Sequence, residues 1–167
     1  MADPTPQTPT IPTTPTTSTT PTTFIQLTPH PLNPTTYTTF VSSPSAGATV
    51  LFIGTTRNSF NNLPVSTLSY SSYTPLAMRT LSSIADAILA NHGAEKIAIV
   101  HRLGECPVGE QSIVIAVSAK HRQAAWRAGE EALEMVKDKA EIWKLEVFVG
   151  GEGVWRANRD GVRGVRV

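Results

Sequence analysis

The sequence predicts an α+β domain in which two main helices pack on a mostly antiparallel sheet. Short apolar runs rich in β-branched residues alternate with two longer segments whose apolar residues recur at helical spacing. These segments follow one another in the order β-β-α-β-β-α-β. The 167 residues are enough for one domain with a substantial core, but not for two.

The strands of this pattern are short segments in which Val, Ile and Thr are frequent. Five strands are predicted, at residues 48–54, 65–73, 96–101, 112–117 and 142–149. Pro107 and Gly109 predict a turn between the third and the fourth strand, and Gly150 ends the fifth.

Each helix is predicted from its apolar face and from its end signals. Pro75 opens the first helix at a position that proline tolerates, and Gly93 is a typical stop. The apolar face between them consists of Leu81, Ile84, Ala85, Ile88 and Leu89. The second helix is predicted over residues 119–140, with Ser118 as its N-cap. Its small face, which allows close packing, consists of Ala125, Ala128 and Ala132.

Residues 1–36 differ from the rest in composition, because they hold nine of the 13 prolines and many threonines. Such a segment has few apolar groups to offset its ordering entropy, so we expect a disordered tail. One edge strand, formed by Phe24, Ile25 and Leu27, remains an alternative within this segment. A short helical turn is a further possibility at residues 37–41. The predicted domain covers residues 37–160, and residues 161–167 form a C-terminal tail.

Composition excludes several classes of protein. Cys106 is the single cysteine, so neither an internal disulfide nor a Cys-rich zinc site can form. It lies in a predicted turn with no base beside it, and we interpret it as a turn residue rather than a nucleophile. The sequence contains no phosphate-binding loop, dinucleotide fingerprint, metal-binding histidine pair or nucleophile elbow. We therefore expect no metal and no bound cofactor.

Charge and hydropathy give expectations about partners and location. Net charge is +1, and all 14 Lys and Arg residues lie between Arg57 and Arg166. This distribution favours a local anion pocket over a nucleic-acid surface, which would need a basic stripe. No apolar run approaches the ~18 residues of a membrane span, and the N-terminus lacks a secretory pattern. We expect a cytosolic protein without membrane contact.

Three cationic residues are candidates for an anion site. Arg57 follows a buried strand at the mouth of a loop, and His121 and Arg122 lie in the first turn of the second helix. Free backbone N–H groups point outward at that end, so phosphate or carboxylate could bind there. The alternative is an ordinary solvated first turn.

Two lysines are candidates for chemistry. Lys137 precedes the end of the second helix, and Lys144 lies in Ile142-Trp143-Lys144 among large apolar residues. Partial loss of hydration would favour Lys144 as a nucleophile or proton carrier. The alternative is a strand lysine whose charged end reaches solvent. Arg122 and Lys137 lie roughly 22 Å apart on one helix, so we expect either separate sites or sites shared between two chains.

Several ordered motifs between about Thr39 and Asp160 resemble the large subunit of molybdopterin synthase. They begin with Leu51-Phe52-Ile53-Gly54-Thr55-Thr56-Arg57-Asn58 and His101-Arg102-Leu103-Gly104. They continue with Ser118-Ala119-Lys120-His121-Arg122, then Lys137-x-Lys139-x-x-Ile142-Trp143-Lys144-x-Glu146, and finally Trp155-Arg156-x-Asn158. Two of these motifs, Gly54-Thr55-Thr56-Arg57-Asn58 and Trp155-Arg156-x-Asn158, are most similar to the eukaryotic branch of that family.

The resemblance implies an α/β hammerhead fold and a homodimer of large subunits, with a small subunit at each end, which makes a heterotetramer. It also implies a sulfurtransferase. The ubiquitin-like small subunit carries a thiocarboxylate on its C-terminal Gly-Gly and gives its sulfur to cyclic pyranopterin monophosphate. Two transfers make the dithiolene of molybdopterin.

The family's site residues transfer to matching positions of this sequence. Lys137 and Lys144 correspond to the catalytic pair, which also holds substrate. The other implied positions are the pterin-phosphate ligands Arg57, His121 and Arg122, the substrate-site residues Leu145 and Glu146, and Phe52 in the wall of the tail pocket. His121 and Arg122 would come from the neighbouring chain. Leu145 departs from the basic residue that many members have.

Two other functions remain open at this point. One is a non-catalytic dimeric platform that binds a ubiquitin-like tail and needs neither lysine. The other is an acyl or phosphoryl transferase acting on another phosphate ligand, which would need a metal or nucleotide site for which the sequence has no motif.

Overall fold

A computed structural model describes residues 9–158 and the backbone of residues 165–166. It contains three helices, which are α1 (Pro34–Val41), α2 (Thr74–His92) and α3 (Arg122–Lys139). The strands up to α3 are β1 (Thr16–Thr19), β2 (Thr23–Thr28), β3 (Ala48–Thr55), β4 (Ser59–Phe60), β5 (Leu63–Ser72), β6 (Ala94–Arg102), β7 (Gly104–Pro107) and β8 (Gln111–Ala119). After α3 come β9 (Ile142–Phe148), β10 (Gly153–Ala157) and β11 (Val165–Arg166).

The strands form two sheets. The first has the order β1-β2-β6-β8-β3, and the second has the order β11-β10-β9-β5-β4 with β7 also paired to β5. Every pairing is antiparallel except that of β2 with β6. The predicted α+β class, with helices packed on mostly antiparallel strands, is therefore confirmed.

The core is built on both faces of the first sheet. Helices α2 and α3 cover one face, where the fully buried Leu81, Ile99 and Ile115 meet. The small face predicted for α3 is confirmed, since Ala125, Ala128 and Ala132 are completely buried. On the other face, α1 packs Tyr37 and Val41 against Ala98, Val100, Val114 and Ala116. Within the described residues, no helix has the length and apolarity to cross a membrane.

The prediction of a disordered tail over residues 1–36 is wrong where the structure describes that segment. β1 and β2 form an antiparallel pair, and β2 also runs parallel to β6, so β2 is an inner strand rather than an edge strand. Ile25 and Leu27 are almost completely buried in the main core. Apolar residues at alternate positions, flanked by β-branched threonines, outweigh the Thr/Pro composition. Residues 1–8 lie outside the described part.

Helix α1 exceeds the short turn expected at residues 37–41, because it begins at Pro34 with Asn33 as its N-cap. The domain therefore starts well before residue 37. At the other end, the backbone of β11 pairs with β10 over part of the segment predicted to be a tail. The rest of residues 159–167 falls outside the described residues.

The second main helix begins three residues later than predicted. Ser118 and Ala119 belong to β8, where they pair with residues of both β3 and β6, so the chain stays extended until His121. Ser118 is therefore not an N-cap. Its hydroxyl is buried, without a hydrogen-bond partner among the described residues. The N-cap is His121, whose side chain makes no capping hydrogen bond.

The region around Cys106 contains a strand that the sequence pattern did not reveal. β7 is only four residues long and pairs with β5 on the side opposite β9, while the predicted turn follows it at Gly109. Cys106 is completely buried, and its thiol lies 3.6 Å from the carbonyl oxygen of Glu110. Burial raises the pKa of Cys106, which keeps it protonated and unsuited to nucleophilic attack.

The end of α2 gives a test of backbone strain. Gly93 has a left-handed conformation with φ 59°, and a Cβ atom added there would meet nothing within 4 Å. Replacement of Gly93 by Ala should therefore cost only the backbone penalty, about 1 kcal/mol in the free energy of unfolding. Urea denaturation would measure this cost. Gly93→Asn is the control and should lose less, because Asn tolerates this conformation better; an equal loss in both variants would contradict the strain account.

Candidate functional site: a cationic cavity between the two sheets

A cavity of about 180 Å³ lies between the two sheets. Phe52 and Gly54 of β3 and Ile113 of β8 contribute the wall from the first sheet. Gly54 is required at this point, because a Cβ atom built there would lie 2.6 Å from Cγ2 of Ile113. Phe52 lines this cavity, and its role as a wall of the pocket for a partner's tail stays a prediction.

The opposite wall is one face of the second sheet. Tyr70 of β5 pairs with Lys144 of β9, and Lys144 pairs with Arg156 of β10. Glu146 lies two residues from Lys144 on the same face, and both side chains line the cavity. Alternation sends Leu145 to the other face, and Leu145 is absent from the cavity lining.

Three cationic side chains from different elements meet at this cavity. Arg57 follows β3, Lys137 lies in the last turn of α3, and Lys144 lies in β9. A cation in the last turn of a helix is favoured by the helix dipole, so α3 supports the charge of Lys137. Residues far apart in sequence thus form one site suited to a small anion.

Glu146 is the acidic group of the cavity and is only 2 % exposed. Its Oε2 accepts a hydrogen bond from Nε of Arg156 at 2.9 Å, and its Oε1 lies 3.7 Å from Nζ of Lys144. A buried carboxylate is tolerated only when paired, and here it is paired with two cations. Glu146 therefore fixes the direction of the Lys144 side chain and leaves the cavity with net positive charge.

A neutral polar group lies beside these charges. His101 of β6 is 1 % exposed and packs edge-on against Tyr70, with ring centroids 4.8 Å apart. Its Nδ1 lies 2.7 Å from the carbonyl oxygen of Arg102, and its Nε2 lies 3.1 Å from Nδ2 of Asn158. Burial lowers the pKa of His101 to about 4, opposed by the hydrogen bond to Arg102. Burial likewise raises the pKa of Tyr70 to about 12, so both rings are uncharged at neutral pH.

His121 and Arg122 do not reach this cavity. They lie at the start of α3, on an open surface that also includes Gln123, Trp126 and Arg127. Lys137 is 15 positions beyond Arg122 on the same helix, about 22 Å away at the rise of an α-helix. Within one chain, the structure therefore separates the predicted cationic residues into two groups.

Sequence reasoning did not assign a site role to Tyr70, His101, Arg156 or Asn158. The last three were part of the quoted family motifs, so a signal was present. No periodicity or spacing argument could show that Tyr70, His101 and Asn158 share a cavity with the two lysines, because they come from both sheets. Arg156 is not part of the cavity lining and contacts the site through its hydrogen bond to Glu146. Within residues 9–158, no group of three or more His, Cys, Asp and Glu side chains is arranged to hold a metal ion.

The sequence profile of the family described as MoaE protein matches residues 27–139. The chain belongs to this family. A relative named molybdopterin synthase catalytic subunit, from Pyrenophora tritici-repentis, is 73 % identical over 143 residues, which cover 86 % of this chain and 79 % of the relative. A second relative with the same name, from Phaeosphaeria nodorum, is 71 % identical over 143 residues, which cover 86 % of this chain and 76 % of that relative.

Solved structures agree with this membership. The crystal structure of molybdopterin synthase from Staphylococcus aureus contains a chain that is 33 % identical to this one, with a TM-score of 0.73. The match covers 78 % of this chain and 94 % of that chain. The fold of the MoaE family thus extends over most of the described residues.

The buried His101 predicts a pH dependence of stability. Between pH 6.5, its ordinary pKa, and pH 4, the unfolded chain binds a proton here that the folded chain does not. The free energy of unfolding should therefore fall as pH drops through this window, by up to about 3 kcal/mol from this residue. Urea denaturation at several pH values would show a steeper decline for wild type than for His101→Gln. Equal declines would contradict the assignment of a buried neutral imidazole.

Proposed function

We propose that this chain is the catalytic subunit of molybdopterin synthase. It transfers sulfur from the thiocarboxylated C-terminus of a small ubiquitin-like subunit to cyclic pyranopterin monophosphate, and so generates the dithiolene of molybdopterin. The observation that carries this proposal is the convergence of Lys137, Lys144 and Arg57 on one cavity in a chain of the MoaE family. The sulfur arrives on the partner, which is consistent with the inert, buried state of Cys106.

The cavity suits the end of a peptide. Its volume of about 180 Å³ is below the roughly 300–1,000 Å³ typical of pockets that enclose a drug-sized ligand. A Gly-Gly end has no side chains and can enter such a space. The two lysines then hold the thiocarboxylate anion, and one of them takes the acyl group or carries protons while sulfur passes to the pterin. Glu146 keeps Lys144 directed toward this anion.

The pterin phosphate needs further cations, which the same chain cannot bring close. We propose that two copies of the chain pair so that His121 and Arg122 of one copy face Arg57 and the lysines of the other. A small subunit at each end completes a heterotetramer. In this arrangement both ends of α3 serve catalysis, but in different sites. The cytosolic location expected from the sequence stays a prediction.

A reconstitution assay tests the activity. Purified chain, thiocarboxylated small subunit and cyclic pyranopterin monophosphate should yield molybdopterin, read out as its fluorescent oxidation product. Lys137→Ala should lose at least about 100-fold in rate, since it removes a group that acts on the reacting atoms. Lys139→Ala removes an exposed lysine from the same helix turn and is the matched control, expected to keep wild-type activity.

Two outcomes of this assay would contradict the proposed activity or the proposed role of Lys137. A folded wild-type chain that binds the small subunit without turnover would support the non-catalytic platform instead. Wild-type turnover in Lys137→Ala would remove that lysine from the catalytic pair.

A mixing experiment tests the shared site. Arg122→Ala and Lys137→Ala chains should each be inactive alone, whereas a mixed dimer has one site with both groups intact. Random pairing should therefore restore about a quarter of wild-type activity, because half of the dimers are mixed and one of their two sites works. A mixture of Lys137→Ala and Lys144→Ala is the control and should stay inactive, since both changes lie in the same cavity. No recovery in the first mixture, together with a monomeric wild type, would refute the shared site.

A further inference from the structure

A hydrogen bond between two side chains that line the cavity joins the two sheets. His101 belongs to β6 of the first sheet, whereas Asn158 follows β10 of the second, where its backbone N–H donates to the carbonyl oxygen of Ile142 at 3.1 Å. The imidazole Nε2 and the amide Nδ2 lie 3.1 Å apart. Both side chains line the cavity that holds Lys137 and Lys144.

The chemistry of the neighbours fixes the orientation of the Asn158 amide. The carbonyl oxygen of Arg102 can only accept, so Nδ1 of His101 carries the proton. A neutral imidazole has one N–H, which leaves Nε2 as an acceptor. Asn158 must therefore turn its NH₂ group toward His101. Its amide oxygen and second N–H point away from the ring, and the amide has no other hydrogen bond among the described residues.

The register places this oriented amide next to the lysine. Lys144 pairs with Arg156, and Asn158 lies two residues beyond Arg156 on the same face of the second sheet. One acceptor and one donor on a planar amide match the N–H and C=O of a peptide bond. A peptide end held by Lys144 would therefore pass within reach of Asn158.

We propose that Asn158 binds the backbone of the small subunit's C-terminal peptide in the cavity, and that His101 is the positioning residue that fixes its amide. This inference rests on the proposed function and adds a binding residue to it. His101 does not touch the peptide and acts only by holding the NH₂ group of Asn158. Without this acceptor, the amide can rotate and present the wrong atoms to the peptide.

The first test compares Asn158→Ala with wild type in the reconstitution assay. The KM for the thiocarboxylated small subunit should rise about tenfold, as expected for the loss of one or two buried hydrogen bonds. The KM for cyclic pyranopterin monophosphate should stay unchanged, and kcat at saturating small subunit should change less than threefold. Asn91→Ala, which removes an exposed asparagine on α2, is the matched control and should match wild type. A rise confined to the pterin KM would overturn the peptide assignment.

A binding measurement keeps this test independent of turnover. Calorimetry should show weaker binding of Asn158→Ala to the intact small subunit, but wild-type affinity for a small subunit that lacks its last two residues. Equal weakening for both forms would place Asn158 outside the tail site. If wild type binds the tail in this way but makes no product, the proposed reaction fails while the binding role of Asn158 survives.

The role of His101 is tested by a double-mutant cycle. His101→Phe keeps a ring against Tyr70 but removes the acceptor, and its KM for the small subunit should rise several-fold. The double variant with Asn158→Ala should show no larger rise than Asn158→Ala alone, because both changes act on one contact. His101→Gln retains an oxygen acceptor and should restore a KM near that of wild type. Additive effects, or no recovery with Gln in a folded protein, would overturn the positioning role.

Discussion

Glu146 sets a constraint on which the arrangement of the site depends. A carboxylate that is 2 % exposed loses most of its hydration, and here Arg156 and Lys144 face it from two positions of the same sheet and offset that loss. This requirement favours cationic residues at the paired positions 144 of β9 and 156 of β10. It also holds the lysine ammonium toward the cavity instead of leaving it in solvent. The charge that would bind a substrate anion is thus set by the pairing of strands.

A second constraint comes from the length of α3. An 18-residue helix keeps its ends about 25 Å apart, and this chain carries cationic side chains at both. The C-terminal end meets the cavity through Lys137, where the dipole favours its charge. The N-terminal end offers free N–H groups beside His121 and Arg122, where an anion is favoured. The proposed pairing of two copies would let both ends act on one substrate, and it would make oligomerisation part of the proposed chemistry.

Polar side chains from both sheets line the cavity. Gly54 leaves room for the Ile113 side chain of the neighbouring strand, whereas Tyr70, His101 and Asn158 supply hydrogen-bonding groups to the cavity wall. Because the imidazole of His101 stays neutral, it adds direction without adding charge. In the proposed mechanism, the charged groups of the site attract the thiocarboxylate anion, and the neutral groups orient the peptide that carries it.

The sequence by itself determined the class of fold, the apolar faces of α2 and α3, the stop at Gly93 and, through family resemblance, the lysines and arginine that meet in the cavity. These features depend on local periodicity, on glycine conformation or on whole motifs, so they can be predicted from the amino-acid sequence without a tertiary structure. Tertiary structure decided the rest. β2 is an inner strand because its Ile25 and Leu27 meet a core built by distant segments, and Ser118 belongs to a strand because two neighbouring strands pair with it. Leu145 faces away from the cavity and Asn158 faces into it, because strand register, which depends on partners far along the chain, sets the direction of each side chain.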